Sequence, residues 1–536
     1  MTPAKPENCG WSGDQVLAIR AQLERLACSP VLQQSPRKQR FLRHIVEATL
    51  AGAADRLKGY TLGVEVFDRG SDFDPNVDPI VRVEMGRLRS KLIEFYSEQG
   101  TTDRVLIELP KGDYAARIGF RVHDAVSRKE RKPRNDDQDL GTRPSLAVIP
   151  FANMSADPEQ EYFADGITED LITDLSKLAG LSVISRHSSF VYKKANKRLE
   201  EIGVELGVRY ILEGSVRRAG ETLRITAQLV DAKSGEHVWA QRFDRPIRDA
   251  FSVQDDVTQR IVAALAVNLT PLEAARIGHE GTASAEAHDS LLRGLQCFWI
   301  YTEAGNREAQ ALFEQAVDRD RDYAAAHAWL ARSLAFDHSM GWAGSTIETL
   351  ERARRHARTA VELDGLLPLA HAVRCWAELW AKNGPSAIES GRRAIALDPN
   401  NTDARLFLSL SLSANGQGEE ALRQIESGMA LSPLPSAFYL WARGTSLQVL
   451  GRHQEALADF EAGIRLRAAF LPNLVYATWV CVDLGRMTDA QRYRDATVAV
   501  TRGGHLPIGN IWLDAALQRR CDDALLQAGF APRIVE

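Results

Sequence analysis

The chain lacks the clustered cysteines, the signal peptide and the long apolar runs that are typical of secreted, metal-binding or membrane proteins. Its six cysteines among 536 residues form no Cys-x-x-Cys pair and have no clustered histidine beside them, which argues against a zinc site or a disulfide framework. The N-terminus has no apolar signal-peptide core, and no apolar run approaches the roughly 18 residues needed to span a bilayer. We therefore expect a cytoplasmic protein with no membrane partner.

The charge and the motif content are equally sparse. A net charge of −5 gives no global reason to bind nucleic acid or an anionic surface, so any basic site must be local. The sequence contains no G-x-x-x-x-G-K-[ST], H-E-x-x-H or G-x-S-x-G motif, and no G-x-G-x-x-G after a strand. We expect no enzyme, no catalytic residue, no cofactor and no metal.

A polar segment divides the chain. Residues 122–143 include SRKERKPRNDDQD, which carries too few apolar side chains to order itself and is typical of a linker. The composition changes again near residue 272, where long Ala- and Leu-rich helical patterns begin. We predict a multidomain chain with domains at residues 1–121, 144–272 and 280–536.

The last of these regions repeats. A small residue precedes an aliphatic one at Ala316, Ala360, Ala394, Gly428 and Gly463, at intervals of 44, 34, 34 and 35 residues. A period of 34 with an L-D-P-like turn is the signature of tetratricopeptide (TPR) repeats, and the longer interval suggests an insertion near residues 341–350. An all-α solenoid with a concave groove for a protein partner is predicted, although the pattern does not identify that partner.

A basic amphipathic helix is predicted near residues 78–92, in DPIVRVEMGRLRSKL. Asp78 and Pro79 are a helix-start signal. The apolar stripe follows helical spacing at Val81, Met85, Leu88 and Leu92. The other faces are rich in arginine and lysine. These basic faces could either be exposed to solvent, as in many amphipathic helices, or contact nucleic acid.

The elements around this helix favour the second interpretation. Two or three helical segments precede it, at 14–26, 35–52 and 59–67, and the β-hairpin pattern VLIELPKGDYAARI follows at 105–118. This is the order of a winged helix-turn-helix, an α+β domain that reads the major groove with its last helix and reaches phosphate with its hairpin. The predicted DNA-binding residues are Arg82, Arg87, Arg89 and Lys91 on the helix, Lys111 at the hairpin tip, and Arg37, Lys38, Arg40 and Arg43 in a second patch.

Specific motifs in this region carry a resemblance. VRVEMGRLRSKL followed by ELPKGDY resembles the effector domain of OmpR/PhoB-type response regulators, and more closely a domain that precedes TolB-like and TPR segments in bacterial proteins. The resemblance implies DNA binding. Two features weaken it: Lys-Gly-Asp-Tyr replaces the second glycine of the wing turn, and residues 1–122 hold 18 Lys and Arg against 16 Asp and Glu. A degenerate winged helix used for dimerisation or protein contact remains the alternative.

The middle region alternates strand and helix patterns, which predicts an α/β layer. AVIPFANMSADPEQEYFADGITEDLITDL (147–175) and LGVRYILEGSVRRAG (206–220) resemble the TolB amino-terminal-like domain, a resemblance that implies no catalytic activity. Proteins that share this domain and TPR repeats are often labelled as adenylate cyclases, but the winged-helix-like block stands here where their cyclase domain would be.

Two clusters in the middle region could suggest chemistry, but each has a simpler explanation. Asp165 is expected to cap a helix, Glu169 to lie in its first turns, and Asp170 and Asp174 to share a solvated face. His187 and Ser188 are adjacent on an expected strand, so they should point to opposite faces.

Three functions are compatible with the sequence of the whole chain. The first is a cytoplasmic transcriptional regulator that binds DNA and receives a signal through its other domains, with homo-oligomerisation left open. The second is a TPR interaction scaffold that binds no DNA. The third is a signalling protein related to adenylate cyclases but lacking the cyclase domain.

Overall fold

The computed structural model describes residues 11–33, 35–70, 73, 80–100, 103–110, 114–120, 143–155, 157, 160–219, 222–246, 250–265, 267, 269, 281–282, 284–342, 346–501 and 511–530. The chain forms two compact units, one made chiefly of residues 1–134 and the other chiefly of residues 135–536. Of the predicted linker 122–143, only Arg143 is among the described residues. No helix within the described ranges is both long and apolar enough to cross a membrane.

The first unit consists of helices followed by a two-stranded antiparallel sheet. Its elements are α1 (Gly13–Ala27), α2 (Pro36–Leu50), α3 (Gly59–Glu65), α4 (Ile80–Glu98), β1 (Val105–Glu108) and β2 (Arg117–Phe120). Val105 pairs with Phe120, and Glu108 with Arg117. The predicted helices and the hairpin are thus confirmed as elements.

Helix α4 forms where the sequence predicts it. All four residues of its predicted apolar stripe, Val81, Met85, Leu88 and Leu92, are buried in the core of the first unit. That core also contains apolar residues of α1, α2 and β1. The expected start signal, Asp78 and Pro79, lies outside the described residues.

The second unit begins with a mixed sheet and its helices. The elements are β3 (Ser145–Val148), β4 (Ala152–Asn153), α5 (Glu161–Ser176), β5 (Ser182–Val183), α6 (Arg186–Ser189), α7 (Leu199–Leu206), β6 (Tyr210–Ala219), β7 (Thr222–Asp231), β8 (His237–Pro246) and α8 (Ala250–Ala264). The strand order is β5-β3-β6-β7-β8, parallel from β5 to β6 and antiparallel from β6 to β8, and β4 also pairs with β6 in parallel.

Helices cover both faces of this sheet, as an α/β layer requires. Leu171 of α5 and Ile261 of α8 belong to one hydrophobic core together with Leu212 of β6, while Ile202 of α7 belongs to another with Ile211. Adjacent residues of β6 thus enter the cores on the two faces, which is the alternation expected of a strand buried on both sides.

The remainder of the second unit is helical. Its helices are α9 (Ala285–Phe298), α10 (Glu303–Arg319), α11 (Ala324–Met340), α12 (Thr346–Leu363), α13 (Pro368–Trp380), α14 (Gly384–Leu397), α15 (Thr402–Ala414), α16 (Gly418–Ala430), α17 (Ala437–Val449), α18 (His453–Leu466), α19 (Leu471–Asp483), α20 (Met487–Thr501) and α21 (Ala515–Gln527). Successive helices pack on one another from α9 to α11 and from α13 to α20, and the odd-numbered helices α11 to α19 also contact one another in turn. Helix α12 packs with α11 and α13 through its buried residues Ala357 and Ala360.

These helices repeat with the predicted period. The odd-numbered helices α11 to α19 begin at intervals of 44, 34, 35 and 34 residues. The small side chains at Ala316, Ala360 and Ala394 are fully buried, as close helix packing requires. Most of the additional residues in the first interval lie in longer helices rather than in a loop. Helices α11 and α12 have 17 and 18 residues, whereas α13 and α14 have 13 and 14.

The sheet layer and the helical repeats share one hydrophobic core, which runs from Leu146 to Ala528 in sequence. A repeat turn joins the two parts through polar contacts as well. Asn400 Nδ2 donates to the carbonyl oxygens of Ser176 at 2.8 Å and Leu181 at 3.2 Å, and Asp398 accepts from the Ser176 hydroxyl at 2.8 Å. The predicted boundary near residue 272 therefore does not separate two independent cores.

Candidate functional site

Helix α4 of the first unit positions several of the residues predicted to contact DNA. Arg87 forms an ion pair with Glu84 at 2.6 Å, and both side chains are largely buried. Lys91 lies half-buried on the same helix. Arg82 belongs to α4, but its side chain lies outside the described residues, as does Lys111 of the predicted hairpin tip.

Arg89 has a structural role in this unit. Its Nε donates to the carbonyl oxygen of Leu109 at 2.6 Å, and its Nη2 donates to that of Pro110 at 3.0 Å. Burial lowers the pKa of Arg89. The described hydrogen bonds of the Arg89 guanidinium are therefore made to the hairpin backbone, and they anchor the end of β1 to α4.

The second predicted patch lies on α2. Arg40 pairs with Asp68 at 2.6 Å and Arg43 with Glu24 at 2.6 Å, and about half of each arginine side chain is exposed. Arg37 lies 4.7 Å from the centre of the Phe67 ring, and Lys38 is half-buried on the same helix. Exposed ion pairs are weak in water, so these cations can exchange their carboxylate partners for phosphate.

A second candidate site is a cleft in the other unit that encloses about 80 Å³. The odd-numbered repeat helices supply most of its wall, and the segment that precedes and begins α6 closes one side. Its lining is formed by Ser185, Arg186, His187, Phe298, Trp299, Tyr301, Arg332, Phe336, Trp376, Thr402, Asp403, Leu406, Phe407, Ser436, Phe438 and Tyr439. We call this the aromatic cleft.

A buried arginine lies in this wall. Arg332 of α11 pairs with Asp403 of α15 at 2.7 Å. Its guanidinium carbon lies 4.9 Å from the ring centre of Trp329, 5.2 Å from Trp299 and 5.5 Å from Phe298. Asp403 and nearby carboxylates raise the pKa of Arg332 despite its burial, which on its own would lower it. Arg332 therefore remains a cation inside an aromatic surround.

Arg186 of α6 provides a second cation on the cleft wall. It lies 3.8 Å from the ring centre of Phe190 and 4.2 Å from that of Trp299. Its Nε donates to Glu169 at 2.9 Å, and Trp299 Nε1 donates to the same carboxylate at 3.1 Å. Glu169 thereby connects the sheet layer to the repeats, and burial raises its pKa.

These positions correct two expectations about the middle region. Helix α5 begins at Glu161, so Asp165 is not its cap but lies one turn inside it, where it pairs with Lys193 at 2.6 Å. His187 and Ser188 lie on the short helix α6 rather than on a strand. The Ser188 hydroxyl contacts the Ser432 hydroxyl at 3.2 Å and accepts from the Leu434 amide, and burial lowers the pKa of His187.

Sequence reasoning did not find the aromatic cleft. Its lining residues are spread from 185 to 439 and follow no motif, since each repeat contributes between one and four side chains. The one available signal was the aromatic content of the odd-numbered helices, which is equally expected of a packed solenoid core.

Residues 142–263 match the model of a known family. The matching family is described as "HilA/YgeH-like transcriptional regulator, second domain". The matched residues cover the sheet layer and nearly all of α8. The OmpR-like and TolB-like resemblances stay predictions.

The chain is also similar to "Putative adenylate cyclase 3" of Rhizobium meliloti (strain 1021). The two are 46% identical over 243 residues, which cover 45% of this chain. The chain spans about two fifths of that relative, because the aligned region covers 41% of its length.

Solved structures similar to this chain include two TPR proteins. One is TTC0263 of Thermus thermophilus, 18% identical, covering 37% of this chain and 99% of that one with a TM-score of 0.30. The other is YrrB, a TPR protein with an unusual peptide-binding site, also 18% identical, covering 39% and 97% with a TM-score of 0.25. At these scores the likeness carries no argument, so the repeat assignment rests on the helices and period of this chain.

Proposed function

We propose that the chain is a transcriptional regulator whose first unit binds DNA as a winged helix and whose second unit receives a regulatory signal. The observation that carries the proposal is the match of residues 142–263 to a domain of HilA/YgeH-like transcriptional regulators. The order of elements in the first unit, helices and then an antiparallel hairpin, is the order of a winged helix-turn-helix.

Within this proposal the basic residues have different roles. Arg89 positions the hairpin, because both of its described bonds go to hairpin carbonyls. Arg82 and Lys91 are the residues of α4 that we assign to direct DNA contact. Arg40 and Arg43, half-exposed on α2, would bind backbone phosphate.

The test is binding of the full chain to a labelled duplex from its own upstream region and to a scrambled duplex, over a salt series. Arg82→Ala/Lys91→Ala removes two cations that would displace counterions from the DNA, so it should reduce the slope of log K against log salt by about 1.8, at roughly 0.9 per cation. The preference for the upstream duplex should fall as well.

The matched control is Arg452→Ala/Arg486→Ala, which removes two exposed arginines from the second unit. It should leave both the slope and the preference unchanged. Equal effects of the two double variants, or equal binding of both duplexes by the wild type, would overturn the proposal.

A second candidate function follows from the 46% identity to "Putative adenylate cyclase 3", namely a role in the same kind of signalling. The aligned part is less than half of that relative. Incubation of the full chain with ATP and Mg²⁺ or Mn²⁺ tests it directly, and formation of cyclic AMP would favour this candidate. Under our proposal the chain is not an enzyme and none forms.

A further inference from the structure

The aromatic cleft has the lining of a small-molecule site. It encloses about 80 Å³, several times the roughly 10–15 Å³ that one water molecule needs, and it is partly open to solvent, so a bound ligand can extend beyond its mouth. Aromatic rings form much of its wall, and Trp376 and Phe407 stack there with ring centres 5.0 Å apart. Such walls favour a flat, largely apolar ligand that can lie against ring faces.

The charges around the cleft do not cancel. Arg186 and Arg332 line it, and their carboxylate partners are Glu169 and Asp403. A third arginine, Arg467, contacts the ring and the backbone carbonyl of Tyr301, which is also on the wall. Among the described residues no carboxylate lies within ion-pair distance of Arg467, so the cleft wall and the side chains packed against it carry three guanidinium groups and two carboxylates.

The excess positive charge decides which ligand charge is favoured. An aromatic surround can bind cations, but here the guanidinium groups of Arg186 and Arg332 already lie against the Trp299 ring. A cationic ligand would meet like charge in a partly buried setting, whereas an anionic ligand would offset the excess. Guanidinium groups also match carboxylates in geometry.

We propose that the aromatic cleft binds a planar, largely apolar small molecule that carries one negative charge, such as an aromatic carboxylate. Its ring lies among the aromatic side chains, and its anionic group lies near Arg186 and Arg332. The inference does not depend on DNA binding, since it rests on the second unit alone.

The probe is 2-naphthoate, added to the full chain and followed by titration calorimetry and by tryptophan fluorescence. Two compounds of the same shape control for charge: neutral 2-naphthamide and cationic 2-naphthylmethylammonium. We expect 2-naphthoate to bind at least tenfold more tightly than either. Equal affinities, or tighter binding of the cation, would overturn the proposal.

A blocking variant locates the binding site. Ser436 lines the cleft just before α17, and its side chain makes no capping hydrogen bond, so Ser436→Trp should fill the cleft without loss of a helix cap. Binding should be lost while the far-UV circular dichroism and the melting temperature stay near those of the wild type. Ser427→Trp on α16, outside the cleft lining, is the matched control and should bind normally. Full binding by Ser436→Trp would place the probe elsewhere and refute the proposal.

A third variant tests the charge argument through an increase in affinity, which partial unfolding would not produce. Asp403→Asn keeps an oxygen that can accept from Arg332 but removes one negative charge from the cleft, and the Asp403 side chain is one third exposed. The affinity for 2-naphthoate should rise on the order of tenfold, the effect of one charge across roughly 10 Å at an effective dielectric constant of about 20. The affinity for 2-naphthamide should not change. An unchanged affinity for 2-naphthoate would contradict the inference.

Discussion

Replacing Gly463 by alanine is expected to destabilise the repeats, whereas the same change at Gly428 is not. The two glycines occupy equivalent positions in successive repeats, on α18 and α16. A Cβ atom at Gly463 would overlap the side-chain amide of Asn473, which is fully buried and donates to the Ala437 carbonyl oxygen. At Gly428 the nearest atom is the Cβ of Arg405, at 3.3 Å, a tight but tolerable distance.

The expected magnitudes follow from these neighbours. Alanine is favoured over glycine inside a helix by about 1 kcal/mol. Overpacking of a dense core costs about 1–3 kcal/mol, and displacement of the buried amide costs about 1 kcal/mol more. Gly463→Ala should therefore lower the free energy of unfolding by about 1–3 kcal/mol. Gly428→Ala should lie within about 1 kcal/mol of the wild type.

Urea unfolding followed by tryptophan fluorescence measures both variants, because Trp479 lies on α19 together with Asn473. The comparison uses the shift in midpoint at constant slope. A double variant tests the cause: Gly463→Ala/Asn473→Ala should be less destabilised than the sum of its two single changes, since removing the amide relieves the overlap. Additive effects, or equal midpoints for Gly463→Ala and Gly428→Ala, would refute the reasoning.

Three further outcomes are expected. Arg89→Met should speed amide hydrogen exchange across residues 105–109 and lower the free energy of unfolding by about 1–3 kcal/mol, because two charge-assisted hydrogen bonds to the hairpin are lost. Unchanged exchange would show that the hairpin is stable without these bonds. Burial raises the pKa of Asp398 to about 6, so the folded chain keeps that proton at a higher pH than the unfolded chain does. Relative to Asp398→Asn, the wild type should lose about 2 kcal/mol of stability as the pH rises from 4 to 6 in a series of urea titrations. The pKa of His356 is lowered to about 4 by burial and by the neighbouring His327. Its pH dependence is therefore opposite to that of Asp398: the folded chain loses stability as the pH falls. Relative to His356→Gln, the wild type should lose about 1–2 kcal/mol as the pH falls from 6.5 to 4, a figure reduced for partial exposure, and a flat difference would contradict the assignment.

Periodic patterns predicted most of the architecture. The stripe of α4 is visible because its apolar residues recur at helical spacing, and the repeat period is visible because close packing demands a small side chain at the same place in each helix pair. Boundaries were less predictable. Helix α5 was expected to begin at Asp165 because aspartate favours a helix start, but Glu161 begins it one turn earlier.

Long-range contacts explain what the sequence did not reveal. The fragment 181–186 has the composition of a strand, yet only Ser182 and Val183 pair within the sheet. The amide of Ser185 donates instead to the Leu431 carbonyl oxygen of the repeats, and α6 begins directly afterwards. The sequence likewise presents Arg89 as an exposed basic residue, because its hydrogen bonds to the hairpin carbonyls are contacts between residues 20 and 21 positions apart.

The shared core of the sheet layer and the repeats has a consequence for how such genes can be cut and recombined. A fragment that ends near residue 272 would retain the carbonyl oxygens of Ser176 and Leu181 without the Asn400 amide that they bind. It would also expose to water the apolar face of α5 that packs against α9, where Gly166 meets Leu292. Fragments divided there should aggregate, whereas an exchange of segments near residue 134 leaves this core whole. Viable fusions and natural rearrangements should therefore join at the latter point.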